Sequence, residues 1–181
     1  MKELILLGRG SSAEQCTYDA EVWCASSVLL MPEIKLECIS KAFAFDVWSI
    51  PELRESVEKA RAYSIPVIST EEYASEPYPL QQIKEEFNSS YFRPTVSYML
   101  ALAIYRGYEK LKLYGIDQGP EWIYLAGKPY VTFWLGVATG RGIEYELSSN
   151  CLLLEPFVQE LKKKIDITTW RRIEGAYSKH L

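Results

Sequence analysis

What the sequence is short of narrows the chemistry first. Among 181 residues there is one histidine, His180, next to the last residue and poorly placed for a catalytic base. The four cysteines, Cys16, Cys24, Cys38 and Cys151, include no C-x-x-C pair. Neither zinc ligation nor dithiol exchange has its usual donor set, and free thiols in a reducing compartment are expected. No stretch approaches the ~18 consecutive apolar residues of a membrane span. The apolar run at residues 4–7 is also too short for the core of a signal peptide, so the cytoplasm is the expected location. A net charge of −4 excludes bulk attraction to nucleic acid or to an acidic membrane, though not a local basic patch. The loop G-x-x-x-x-G-K-[ST] is absent, which argues against a P-loop ATPase. Internal repeats and low-complexity segments are absent too.

What is present is ordinary globular material. Hydrophobic residues make up 48% and charged residues 24% of the chain, enough to bury the core of one domain. The 13 Tyr and 5 Trp are read as core-packing rings with a polar end reaching water, in preference to base-stacking platforms. Residues 4–7, 21–25, 42–45, 66–69, 110–114 and 143–147 read as strands, and residues 151–154 as a short apolar segment. Helices are predicted from Pro51 to about Tyr63, at 81–87, at 95–106 and at 130–139. The third is apolar all round and is expected to be buried against the sheet, ended by Gly107. Residues 74–80 carry two prolines and are expected to form a loop. Strands alternating with helices imply a parallel sheet with helices on both faces. The fold class expected is therefore α/β, a Rossmann-like three-layer sandwich with a mostly parallel central sheet over residues 1–155. Residues 156–181 read as a basic helical tail around Lys162, Lys163, Lys164, Arg171 and Arg172. It presents either a solvated face or a surface for a partner such as a second subunit.

In such sheets ligands bind beyond the carboxyl ends of the strands. Gly8 and Gly10 follow the first strand and allow a sharp turn with close approach to a ligand. Ser11 and Ser12 then offer hydroxyls and amides where a helix begins, which suits phosphate; the alternative is an ordinary serine-capped turn. Gly8-x-Gly10-x-x-Ala13 also meets the relaxed dinucleotide fingerprint. The acid that should bind ribose at the end of the second strand is replaced by Ser26 and Ser27, however, and Glu21 lies at the wrong end, so NAD ranks low. Asp117 follows a strand and is read as a metal, ribose or acceptor-hydroxyl ligand, with turn capping as the alternative.

The stretches Leu4 to Ser12, Glu21 to Ser26, Ala42 to Asp46, Arg93 to Met99, Gly107-Tyr108, Leu113 to Asp117, Phe133 to Gly136 and Ser149 to Leu153 together resemble a known group. They are similar to the bacterial CMP-sialic-acid sialyltransferases and to Rossmann-like proteins of the 6-hydroxymethylpterin diphosphokinase-like group, including small phage-encoded relatives. The resemblance covers roughly residues 3 to 155. It implies that Thr95 contacts a nucleotide phosphate, and that Ser26 and Asp46 take the places of asparagines that end the second and third strands. Two departures stand out. The sialyltransferases carry a His base after the Gly-Ile-Asp strand, where this chain has Ala126-Gly127-Lys128-Pro129, and a family Tyr is replaced by Gly119.

The expectation is a nucleotide- or nucleotide-sugar-binding protein of transferase type. Ser11, Ser12 and Thr95 would hold phosphate, Ser26 and Asp46 would meet base or ribose, and Gly8, Gly10 and Gly115 complete the expected ligand-binding set. Asp117 would orient an acceptor or a Mg²⁺ ion. Arg93 would offset charge on a leaving phosphate, unless it is only a surface residue before a helix. The alternative is a binding or interaction module that kept the fold without catalysis; an NAD-dependent enzyme ranks third.

Overall fold

The structure, a computed structural model, describes residues 1–117, 122–149 and 151–154, with backbone only at 122–125. The predicted basic tail, His180 and Gly119 lie outside the described residues. Among the described residues seven strands form one sheet: β1 (Glu3–Leu7), β2 (Glu21–Ala25), β3 (Ile39–Phe43), β4 (Val67–Ser69), β5 (Glu76–Pro77), β6 (Lys110–Tyr114) and β7 (Glu144–Leu147). Their order is β5-β4-β3-β2-β1-β6-β7, and every neighbouring pair is parallel.

The central strands are continuous apolar runs because both faces of the sheet are covered. Leu4, Leu6, Trp23 and Phe43 point to one side, where α2 (Leu80–Phe87), α3 (Thr95–Tyr105) and α4 (Trp122–Gly140) pack. Ile5, Leu7, Val22 and Cys24 point to the other, against Leu53, Val57 and Ala60 of α1 (Pro51–Ala62). This is the three-layer α/β arrangement that the alternation of elements implies. Helix α3 is buried nearly all round, with Met99 to Ala103 fully inaccessible. It is capped at Gly107, which sits at φ +70 and lets the Tyr108 amide donate back to the Ala103 carbonyl at 3.2 Å. The strand charges pair with one another: Lys110 meets Glu146 at 2.6 Å, and Lys112 bridges Glu3 and Asp19 at 2.9 and 3.1 Å. Charged Glu144 and Glu146 also guard the β7 edge against further pairing.

Four elements differ from expectation. The crossovers after β1 and β2 hold only short 3₁₀ turns, Ser11–Gln15 after β1 and Ser26–Leu30 and Leu36–Cys38 after β2, so Ser11 and Ser12 do not open a long helix. The third strand begins at Ile39, not Ala42, because Ile39 and Lys41 pair with Val22 and Trp23 across an irregularity at Ser40, while Lys41 turns to Glu76 at 2.7 Å. Residues 74–80 are not wholly a loop: Glu76 and Pro77 pair with β4, and proline is tolerated because this strand is the sheet edge. Helix α4 starts at Trp122, eight residues before the predicted start at Tyr130, and takes in Pro129. Proline forfeits only the bond one turn back, and the apolar face beyond it supplies the packing. Among the described residues no helix is long and apolar enough to cross a membrane.

Candidate functional site

The chain steps outward from β1 to β5 and then returns to place β6 on the other side of β1. The order therefore reverses between β1 and β6, and a crevice opens beyond their carboxyl ends. There Gly8 donates to the Tyr114 carbonyl at 2.8 Å and Gly10 to the Gly115 carbonyl at 2.7 Å. Gly115 lies in the left-handed region at φ +64, and a Cβ there would run into the carbonyl of Gly8. The two post-strand turns are thus interlocked backbone to backbone, which only glycine permits.

A cavity of about 700 Å³ opens at this point. Seven of the eight residues assigned to ligand binding line it: Gly8, Gly10, Ser11, Ser26, Asp46, Thr95 and Gly115. They come from the turns after β1, β2, β3 and β6 and from the first turn of α3. The eighth, Ser12, is buried beneath the turn: its hydroxyl donates to Asp117 Oδ1 and accepts from the Gly115 amide at 2.7 Å. Arg93 is exposed and not among the cavity residues; its amide donates to the Ser97 hydroxyl at 2.9 Å.

Asp117 lines the cavity with only 9% of its surface exposed. Its Oδ2 accepts from the Ser12 amide at 2.8 Å and the Ser11 hydroxyl at 3.3 Å. Its Oδ1 accepts from the Ser12 hydroxyl and from the Ser148 hydroxyl at 3.1 Å. These donors occupy both oxygens. Among the described residues no group of three His, Cys, Asp or Glu side chains is arranged to hold a metal. Mg²⁺ at Asp117 does not fit this arrangement, and the turn-capping alternative does.

Sequence reasoning passed over Arg9, Ser27, Ile50, Glu52, Leu53 and Ser56, which also line the cavity. Among the described residues Arg9 is the cation of the cavity wall, and its place inside the glycine motif was the available signal. The others come from the start of α1 and the turn after β2, brought in only by the fold. Burial pushes the Asp46 carboxyl above the ordinary carboxylate range even though the residue stands at the open rim. No His, Cys, Lys or Tyr lines the cavity among the described residues. The segment compared with the sialyltransferase base loop, residues 126–129, lies within α4. Glu21 sits at the opposite end of the sheet, where Trp23 Nε1 and the Tyr108 hydroxyl donate to it at 2.7 and 2.5 Å.

Sheet order, crevice and glycine turns define a Rossmann-like α/β protein with its cavity at the topological switch point. No protein-family model matches the chain, and no curated protein matches it. Solved structures do. The chain is similar to the sialyltransferase CstII from Campylobacter jejuni in complex with the substrate analogue CMP-3FNeuAc. That likeness has a TM-score of 0.58 at 17% identity and covers 84% of this chain and 81% of that one. It is similar as well to CstII with cytidine-5'-monophosphate, at TM-score 0.54 and 17% identity, over 84% and 82% of the two chains. At this identity the likeness shows the fold.

Proposed function

We propose that the protein binds a nucleotide or nucleotide-sugar in this cavity and is transferase-like. The observation that carries the reading is the convergence of Gly8, Gly10, Ser11, Ser26, Asp46, Thr95 and Gly115 on one crevice at the switch point. The Arg9 guanidinium, the Ser11 hydroxyl and the first turn of α3 at Thr95 supply donors and positive potential for a phosphate. Asp46, at the end of β3, accepts hydroxyl or amine donors from the ribose or base end. The likeness to an enzyme solved with CMP and with a CMP-sugar analogue supports the choice of ligand class. If transfer occurs, Asp46 is a cavity carboxyl left to take a proton, since serine donors occupy both oxygens of Asp117 and burial raises the Asp46 carboxyl above its ordinary value. NAD is disfavoured, because no acid follows β2. The four free thiols fit a cytoplasmic location.

A second reading, a binding module without catalysis, is favoured by one observation. The described cavity wall has neither a histidine nor a nucleophilic cysteine or lysine.

Thermal unfolding against CMP, CDP, UDP, GDP, ATP, NAD and CMP-sugars tests the proposal. A ligand present at ~100 times its dissociation constant adds about 2.7 kcal/mol. For a chain of this size that raises Tm by about 5–10 °C. Stabilisation by one nucleotide class, lost in Ser11→Ala or Thr95→Ala, supports the site. No shift with any of them at millimolar concentration refutes it. Turnover of the bound nucleotide-sugar then separates the transferase from the binding module.

A further inference from the structure

We infer that Asp117 is a positioning residue. Its buried carboxylate takes the place of an anion at the Ser12 amide and so holds residues 8–12 with Arg9 and Ser11 turned to the cavity. Among the described residues Asp117 receives four hydrogen bonds from three serines, two on each oxygen. Such saturation offsets the cost of burying a carboxyl group.

The fit extends to the backbone. A Cβ on Gly10 would stand 2.5 Å from Asp117 Oδ2, so the carboxylate rests on the bare face of that glycine. Three segments distant in sequence meet here. The turn after β1 arrives through Ser11 and Ser12. The turn after β6 is joined by the Gly115 amide on the Ser12 hydroxyl. The stretch after β7 is tied by Ser148, by the Leu152 amide on the Asp117 carbonyl at 3.0 Å, and by Cys151 Sγ on the Ile116 carbonyl at 3.4 Å. The Ser12 amide and hydroxyl are thereby withdrawn from ligand binding. What faces the cavity is Ser11, whose hydroxyl makes the longest of the four bonds to Asp117 and is the one a ligand could take over.

The identity of the ligand rests on the nucleotide reading; the positioning of the loop does not. The test therefore has two arms, amide exchange without ligand and CMP affinity by calorimetry well below Tm. Asp117→Asn preserves shape but supplies one accepting oxygen, and it is compared with Ile83→Val, a core change in α2 away from the cavity. Asp117→Asn is expected to speed exchange at the Ser12 and Gly115 amides by about tenfold or more, as loss of charged hydrogen bonds predicts. Exchange at Leu6 and Trp23 should hold, CMP affinity should fall by a like factor, and Ile83→Val should change none of these. Unchanged loop exchange overturns the inference, with or without loss of CMP binding; with that loss, Asp117 touches the ligand directly. Equal effects from Ile83→Val also overturn it, since general stability would then explain them. If the native protein binds no nucleotide, the nucleotide reading fails and the exchange arm alone decides the role of Asp117.

Discussion

Gly8→Ala is the sharpest probe of the crevice. The added methyl would press on the Gly115 carbonyl oxygen and stand 3.0 Å from both the Gly115 carbonyl carbon and Ile116 Cγ1. The obstacle is backbone, and it cannot withdraw while Gly8 holds the Tyr114 carbonyl and Gly10 holds that of Gly115. Relief requires opening one or both bonds, at about 0.5–1.5 kcal/mol each. Accommodating an extra methyl in a packed site adds ~1–3 kcal/mol. A loss of about 3 kcal/mol corresponds to a fall in Tm of about 6–12 °C in a domain of this size. The matched control is Gly136→Ala, on the exposed side of α4, where a Cβ meets nothing within 4 Å. There the same methyl should stabilise by up to about 1 kcal/mol, because alanine loses less backbone entropy in a helix. Calorimetric or denaturant unfolding of the pair gives opposite signs if the turns interlock. A Gly8→Ala protein within ~0.5 kcal/mol of native would refute the interlock, since that is the range of an inert surface change.

Other consequences follow from the same geometry. Ser12→Ala removes a buried hydroxyl that bridges Asp117 and the Gly115 amide and should cost about 1–3 kcal/mol, read by denaturant midpoint at constant slope. Asp46 has a folded-state carboxyl raised by burial, so the native state holds its proton more tightly than the unfolded chain. Stability then falls as pH rises from the unfolded to the folded value, while affinity for a hydroxyl-bearing ligand rises over the same window. Asp46→Asn should flatten both profiles. Asp19 is held low by the Thr17 hydroxyl and then Lys112, and Glu3 is held low by Lys112. Their contribution is present above the unfolded carboxylate values and is lost as pH falls through the folded ones. Lys112→Met should therefore weaken the acid-side loss of stability, measured as Tm against pH.

Much of the fold was legible because local patterns carry it. The run at residues 4–7 announces a strand covered on both faces, and the largely apolar stretch 95–105 announces a buried helix. Gly107 ends that helix as its residue type requires. Patterns failed where backbone pairing overrode side-chain chemistry. Lys41 sits in a strand because its ammonium has Glu76, Pro77 sits in one because it lies on an edge, and α4 runs through Pro129. Of the site, the residues at strand ends were visible, since glycine, serine and aspartate there mark turns that close on ligands. Ile50, Glu52 and Ser56 were not, because nothing local distinguishes the first turns of a cavity-facing helix from those of any other.

By itself, then, the sequence determined the layers, the glycine turns and the set of polar residues gathered at the carboxyl ends of the strands. Only the tertiary structure decided which way each of those residues faces. It turned Ser12 and Asp117 toward each other, left Ser11 and Arg9 at the cavity and put Arg93 outside it. The physical reason is the distance in sequence between partners. Asp117 meets serines 105, 106 and 31 residues away, and no local periodicity encodes whether a buried carboxylate will satisfy its charge from the protein or from a ligand.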